Sequence, residues 1–199
     1  MTERHLTPGK EEIELLEPFE RLALAQIQLI STPQQAGSAL EELAGATALG
    51  FDTESKPTFA KNEASLGPHI VQLSTLHKGY IFQLEDAACR RAVAVLLESK
   101  IVIKAGFGLG DDRRRIISKL GVDPQGVLDL NSVFRERGYR KDMGVRGAVA
   151  VLFNKRFIKS RKATTSNWAN LRLTEAQLIY AANDAYAALR VFEALGLTR

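Results

Sequence analysis

ATALGFDTES, residues 46–55, is an apolar run that breaks into two acids, and the fold is decided by how it is read. Small and apolar residues through Phe51 suit a buried strand, which leaves Asp52 and Glu54 hanging at its end. Downstream, HIVQLSTL (69–76) and GYIFQL (79–84) flank His77-Lys78 in the pattern of a hairpin. KIVIKAGF (100–107) and GVLDLN (126–131) read as further strands, with helices through DAACRRAVAVLLES and through DDRRRIISKLG, which ends at Gly121. Upstream, IQLI (27–30) looks like a short strand, and Ser31 or Thr32 can cap a helix through PQQAGSALEELAG with Pro33 in its first turn. SVFRERG, MGVRGAVAVLF and LTEAQLIYAANDAYAALRVFEAL are mainly helical. Three strands in succession, then helix, strand, helix, strand and a helical tail predict an α/β fold. Its centre is a mixed five-stranded sheet flanked by helices, an antiparallel meander joined to parallel strands through helical crossovers.

The 199 residues suit one domain, expected over 26–199, with residues 1–25 as an arm whose EEIELLEPFERLALA allows a helix with Pro18 near its middle. With 45% hydrophobic and 25% charged residues the chain reads as an ordinary soluble protein. It shows neither a membrane span nor an N-terminal signal, so a cytoplasmic location is expected. One cysteine, Cys89, excludes an internal disulfide framework and reads as a buried small hydrophobe. His5, His69 and His77 match no zinc or Ser-His-Asp spacing, so any metal should prefer oxygen ligands. Charge is uneven: Arg135 to Lys162 holds ten basic residues against two acids, or +8, and with the chain total at +4 the rest carries −4. Such asymmetry suggests a polyanionic partner.

Acids recur where apolar runs meet polar residues. Positions i and i+2 of a strand share a face, so Asp52 and Glu54 could bind one divalent ion together. Asp112 follows the KIVIKAGF strand at a helix start, past Gly106, Gly108 and Gly110, which allow close approach. Those glycines read G-x-G-x-G and are no dinucleotide fingerprint, and no P-loop pattern occurs. Tyr180 and Asp184 are helix neighbours at i and i+4, beside the apolar stripe Leu178, Ala182, Ala185, Leu189 and Phe192.

In this order and context the motifs resemble the DEDD superfamily of exonucleases, whose fold is ribonuclease H-like. Asp52 and Glu54 match its first motif, Asp112 the second, and Tyr180 with Asp184 the third, in the Y-x-x-x-D form of the tyrosine subclass. The resemblance runs from about Gln26 to Leu195 and is closest to ribonuclease D-like domains and the Werner syndrome exonuclease domain, on SNWANLRLTEAQLIYAANDAYAALRVF. Asp112 is preferred to Asp111 because the family places an apolar residue four positions later, here Ile116. The chain stops soon after the third motif, which suggests a minimal catalytic domain or a subunit of an assembly.

The resemblance implies a 3′-5′ exonuclease that releases nucleoside 5′-monophosphates with two divalent cations, Mg²⁺ or Mn²⁺, and no nucleotide cofactor. Asp52, Glu54, Asp112 and Asp184 would hold the ions, with Tyr180 orienting the attacking water. Lys155, Arg156, Lys159, Arg161 and Lys162 could track phosphates of DNA or RNA 3′ ends, and Phe107 or Trp168 could stack a base, Trp168 otherwise being a core anchor. A catalytically silent nucleic-acid-binding domain and a phosphoesterase for small nucleotides are the competing readings. Oligomeric state is left open.

Overall fold

A computed structural model describes residues 6–58, 67–139 and 141–197. The elements in chain order are α1 (Lys10–Glu14), β1 (Ile27–Ile30), α2 (Pro33–Ala44), β2 (Ala48–Glu54), β3 (Ile70–Ser74), β4 (Gly79–Gln83) and α3 (Ala87–Glu98). After them come β5 (Ile103–Gly106), α4 (Gly110–Leu120), β6 (Val127–Asp129), α5 (Leu130–Glu136), α6 (Gly144–Phe153), α7 (Arg161–Thr164) and α8 (Glu175–Ala194). The sheet runs β1-β4-β3-β2-β5-β6, with β2, β3 and β4 antiparallel and the other pairs parallel. It is mixed and flanked by helices, as expected, but has six strands: Ile27–Ile30 pairs in parallel with β4 at one edge.

Local chemistry sets the boundaries. Thr32 caps α2 through Gln35 N, Asp86 caps α3 through Cys89 N, and Gly121 ends α4 in the left-handed region. Asp129 accepts from Asn131 N and so starts α5, which shortens the strand expected through Asn131. Pro18 does not sit inside a helix. The α-helix covers only Lys10–Glu14, with a single 3-10 turn at Leu24–Gln26, and between them the backbone runs beside Arg156, with Phe19 N donating to Arg156 O (2.9 Å) and Arg156 N to Glu17 O (2.8 Å). Helical geometry is disfavoured just before a proline, and the 156 strip supplies the partners the chain then needs.

Alternation along β2 splits the core in two. Leu49 and Phe51, with Val71 and Leu73, pack among buried residues of α2 and α3. The opposite face lies under α8, whose residues from Tyr180 to Leu189 are all buried, not the single stripe expected. Ala181 and Ala182 meet Ile70 and Ile81, while Ala187, Ala188 and Val191 join α5, α6 and the N-terminal Phe19 and Leu22. No helix among the described residues is long and apolar enough to cross a membrane.

The helix lies almost on the strands. A Cβ at Gly50 would stand 1.8 Å from Ala185 O, and one at Gly79 2.7 Å from Ala182 Cβ. Gly50→Ala should therefore destabilise the fold by about 2 kcal/mol or more through overpacking. Gly37→Ala, on an exposed helix position with open space around it, should raise stability by up to about 1 kcal/mol. Urea denaturation midpoints check both, and equal midpoints would refute the close-contact argument.

Candidate active site

Gly50, Asp52 and Glu54 alternate on the β2 face that meets α8, and Asp184 comes down from α8 onto the same spot. Ligand oxygens of Asp52, Glu54 and Asp184 lie within 4.8 Å of one another. Burial and mutual repulsion then lift their affinity for protons. The Asp52 carboxyl rises well above the usual range, first through burial and then through Asp184, Glu54 and Asp112. Glu54 is pushed up to about 8 by burial and Asp184, against the opposing pull of Lys159 and the Tyr180 hydroxyl. Asp184, only 5% exposed, is raised by burial despite Lys159 and Tyr180.

Asp112 stands beside this trio and is held apart from it. Its Oδ1 accepts from Thr53 Oγ1 at 2.7 Å, and burial raises its pKa while that bond lowers it. Thr53 also donates its backbone N–H to Asp52 Oδ1 at 2.9 Å, so one residue ties the two acids together. Asp111 is exposed and paired with Arg114. The Tyr180 hydroxyl contacts Thr164 Oγ1 at 3.3 Å, and burial with the nearby Asp184 and Glu54 raises its pKa, so it stays protonated.

The chemistry of these donors fits an oxygen-seeking divalent cation. Asp184 Oδ1 is buried with no hydrogen-bond partner, and its Oδ2 takes Lys159 Nζ at 3.1 Å. Lys159 thus supplies a positive charge inside the acidic cluster, and the attraction of Asp184 keeps its pKa above the usual value against burial. Gln72, opposite Asp52 on β3, is fully buried with both amide atoms unpartnered.

The expected nucleic-acid residues divide. Lys159 is bound to Asp184, and Arg156 is bound to Glu14, so neither cation is a free phosphate ligand in this state. Lys155 is part-buried and Lys162 exposed, while the Arg161 side chain lies outside the described residues. Trp168 is 1% exposed and packs on Tyr180 at 5.9 Å between ring centroids, which closes its face to a base and makes it an anchor for the tyrosine. Phe107 is part-exposed, backed by Phe134 at 6.5 Å, and lines a pocket of about 400 Å³ with Asn131, Met143, Lys159, Asp52 and Asp184.

Sequence reasoning missed Thr53, Gln72 and Asn131. Thr53 read as a spacer between two acids. A glutamine set between Ile70, Val71 and Leu73 was the available signal for Gln72. Asn131 Oδ1 accepts from Met143 N (3.0 Å) and Gly144 N (3.1 Å), fixing the pocket wall.

The model of the 3′-5′ exonuclease family matches residues 27–198. The chain is similar to the bifunctional 3′-5′ exonuclease/ATP-dependent helicase WRN of Mus musculus, 30% identical over 150 residues, which cover 74% of this chain and 11% of that protein. It is also similar to a 3′-5′ exonuclease of Arabidopsis thaliana, 26% identical over 76% of this chain and 53% of that one, so it spans about half the length of that relative and far less of the first. Among solved structures, the Aedes aegypti Nibbler EXO domain superposes with a TM-score of 0.74 at 21% identity, covering 90% of this chain and 91% of that one. Trypanosoma brucei RNase D in complex with RNA U12 superposes with a TM-score of 0.75 at 21% identity, covering 85% and 62%.

Without metal, Glu54 loses its proton near pH 8 when folded but near 4.5 when unfolded. The unfolded chain releases the proton first, so stability is greatest below pH 4.5 as far as this group is concerned and erodes as pH rises toward 8. Glu54→Gln should therefore melt higher than wild type in EDTA at pH 8, by about 3 °C or more, with the gap closing toward pH 5. Lys159→Met, which leaves the acids without their internal cation, should melt lower than wild type in EDTA, and saturating Mn²⁺ should narrow the difference. Fluorimetric melting curves read both, and a pH-independent gap for Glu54→Gln would show that the carboxyl is not destabilised.

Proposed function

This chain belongs to the 3′-5′ exonuclease family, and from that premise we propose that it hydrolyses the terminal phosphodiester bond at nucleic-acid 3′ ends and releases nucleoside 5′-monophosphates. The observation that carries this reading is the trio Asp52, Glu54 and Asp184 with ligand oxygens within 4.8 Å, two of which, Asp52 and Asp184, line a pocket of nucleotide-sized volume.

Two divalent cations, Mg²⁺ or Mn²⁺, held by Asp52, Glu54 and Asp184 with support from Asp112, would supply an ionised water at neutral pH and neutralise the departing 3′ oxygen. The protein's own groups do the rest. Tyr180 keeps its proton and can orient the attacking water through its hydroxyl. Thr53 sets the positions of Asp52 and Asp112 from beneath. Lys159, whose ammonium stands beside the acids on Asp184, would contact the phosphate there. Phe107 and Met143 offer the terminal base an apolar wall, and Asn131 stiffens it. The +8 run from Arg135 to Lys162 favours a strand over a mononucleotide ester, and an RNA strand accompanies one structural relative.

Asp52→Ala or Asp184→Ala should lower turnover at least ~10²-fold, since loss of even an outer-sphere group of a metal site costs 10–100-fold. A gel time course on 5′-labelled single-stranded DNA and RNA, with Mn²⁺, Mg²⁺ or EDTA, is the test. Metal-dependent ladders shortening from the 3′ end and lost in the variants are expected. Near wild-type rates in both variants would sink the assignment, and retained binding without cleavage would favour a silent binding domain.

A further inference from the structure

A second cavity, of about 440 Å³, shares Lys159 in its lining with the nucleotide-sized pocket. Its walls carry four cations, Lys10, Arg146, Arg156 and Lys159, and one acid, Glu14. Glu14 Oε1 accepts from Arg146 Nη2 at 2.7 Å, and Oε2 accepts from Arg156 Nη1 at 3.1 Å. Arg156 Nη1 also reaches the Glu14 carbonyl at 3.1 Å, while Arg156 Nε is buried with no partner. One carboxylate thus takes a guanidinium on each oxygen and leaves positive charge and a buried donor in excess.

These ion pairs are not needed to hold the N-terminal arm. Backbone bonds from Glu17 and Phe19 to Arg156 already fix it, with Phe19 and Leu22 buried. Asn183, the residue beside Asp184, grips Leu22 by accepting from its N–H (2.7 Å) and donating to its carbonyl (3.2 Å). The Glu14 side chain is 49% exposed, so its pairs add little to stability. What they describe is a cradle for an oxyanion. Two guanidinium forks on fixed backbone suit an oxyanion with two exposed oxygens, and a phosphodiester presents two non-bridging oxygens and one negative charge, as the Glu14 carboxylate does. Lys159 joins the cradle to the acids, so a strand with its terminal nucleotide at Asp184 can pass a neighbouring phosphate into it.

We propose that Arg146 and Arg156, with Lys10, form a phosphate subsite for the substrate strand, and that the Glu14 carboxylate fills it in the free protein until a phosphodiester displaces it. The inference rests on the nucleic-acid reading of the neighbouring site and assigns a role to α1, whose own sequence suggests none.

The test is binding without cleavage, by fluorescence anisotropy of labelled 12-nucleotide DNA and RNA strands on the full chain in EDTA across a salt series. Glu14→Gln should bind several-fold tighter than wild type, with a salt slope steeper by about 0.7, the value for one added contact to a single strand. Glu11→Gln, an equal charge change on the same helix, should give a markedly smaller gain. Arg146→Gln should weaken binding several-fold on every sequence, and Glu14→Gln added to it should recover little. Melting curves confirm that each variant is folded. A Glu14→Gln gain no larger than that of Glu11→Gln, a gain that survives Arg146→Gln, or no binding by any variant would overturn the proposal. Cleavage is scored separately: a metal-dependent ladder with no Glu14→Gln gain keeps the nuclease and removes the subsite, whereas the gain without any ladder does the reverse.

Discussion

α8 lies so close to β2 that no side chain fits between them at Gly50, where a Cβ would stand 1.8 Å from Ala185 O. The helix can come this near because it presents Ala181, Ala182, Ala185 and Ala188, all buried, which are thin and cost little helical propensity. Asp184 adjoins Ala185, and Asp52 is two residues from Gly50 on the same strand face. The contact that packs the core is therefore also the one that brings the third carboxylate to the other two. A helix lifted to admit one methyl group would carry Asp184 away from Asp52 and Glu54, whose oxygens now sit within 4.8 Å of its own. Stability and site geometry are in this sense set by one interface.

Much of this was readable from local pattern, because the relevant periods are short. Alternation put Asp52 and Glu54 on one face, and i, i+4 spacing put Tyr180 beside Asp184. The caps at Thr32 and Gly121 declared themselves by residue type. What escaped depends on contacts distant in sequence. Ile27–Ile30 has only four residues and pairs with a strand about fifty positions on, so nothing local shows that it joins the sheet. Asp112 could be matched to a motif, yet its bond to Thr53 could not be foreseen, since Thr53 points to the opposite face of β2 from its two acidic neighbours. Lysines and arginines in the basic run were visible as charges, but the acids that hold Arg156 and Lys159 lie 142 and 25 residues away. Trp168 admitted two readings until burial decided between them.

The two concentrations of charge share a design. In the acidic cluster three carboxylates face one ammonium, from Lys159, and in the basic cavity four cations face one carboxylate, from Glu14. Lys159 offsets part of the repulsion among the buried acids, whereas Glu14, half-exposed, leaves most of the positive charge around it uncompensated. Full neutralisation would leave nothing to attract a ligand. No relief at all would place the whole cost of like charges on a fold with a few kcal/mol to spare.

Lys159 makes the two imbalances one problem, because it lines both cavities and can serve only one at a time. In this structure its ammonium pairs with Asp184 while the residue also lines the basic cavity. Asp52, Glu54 and Asp184, if they held a divalent cation, would no longer need the Lys159 charge, which would leave the ammonium able to face an oxyanion. Metal loading and strand binding should then be thermodynamically coupled through this side chain, each strengthening the other by the same factor, because both favour the state in which Lys159 has left Asp184.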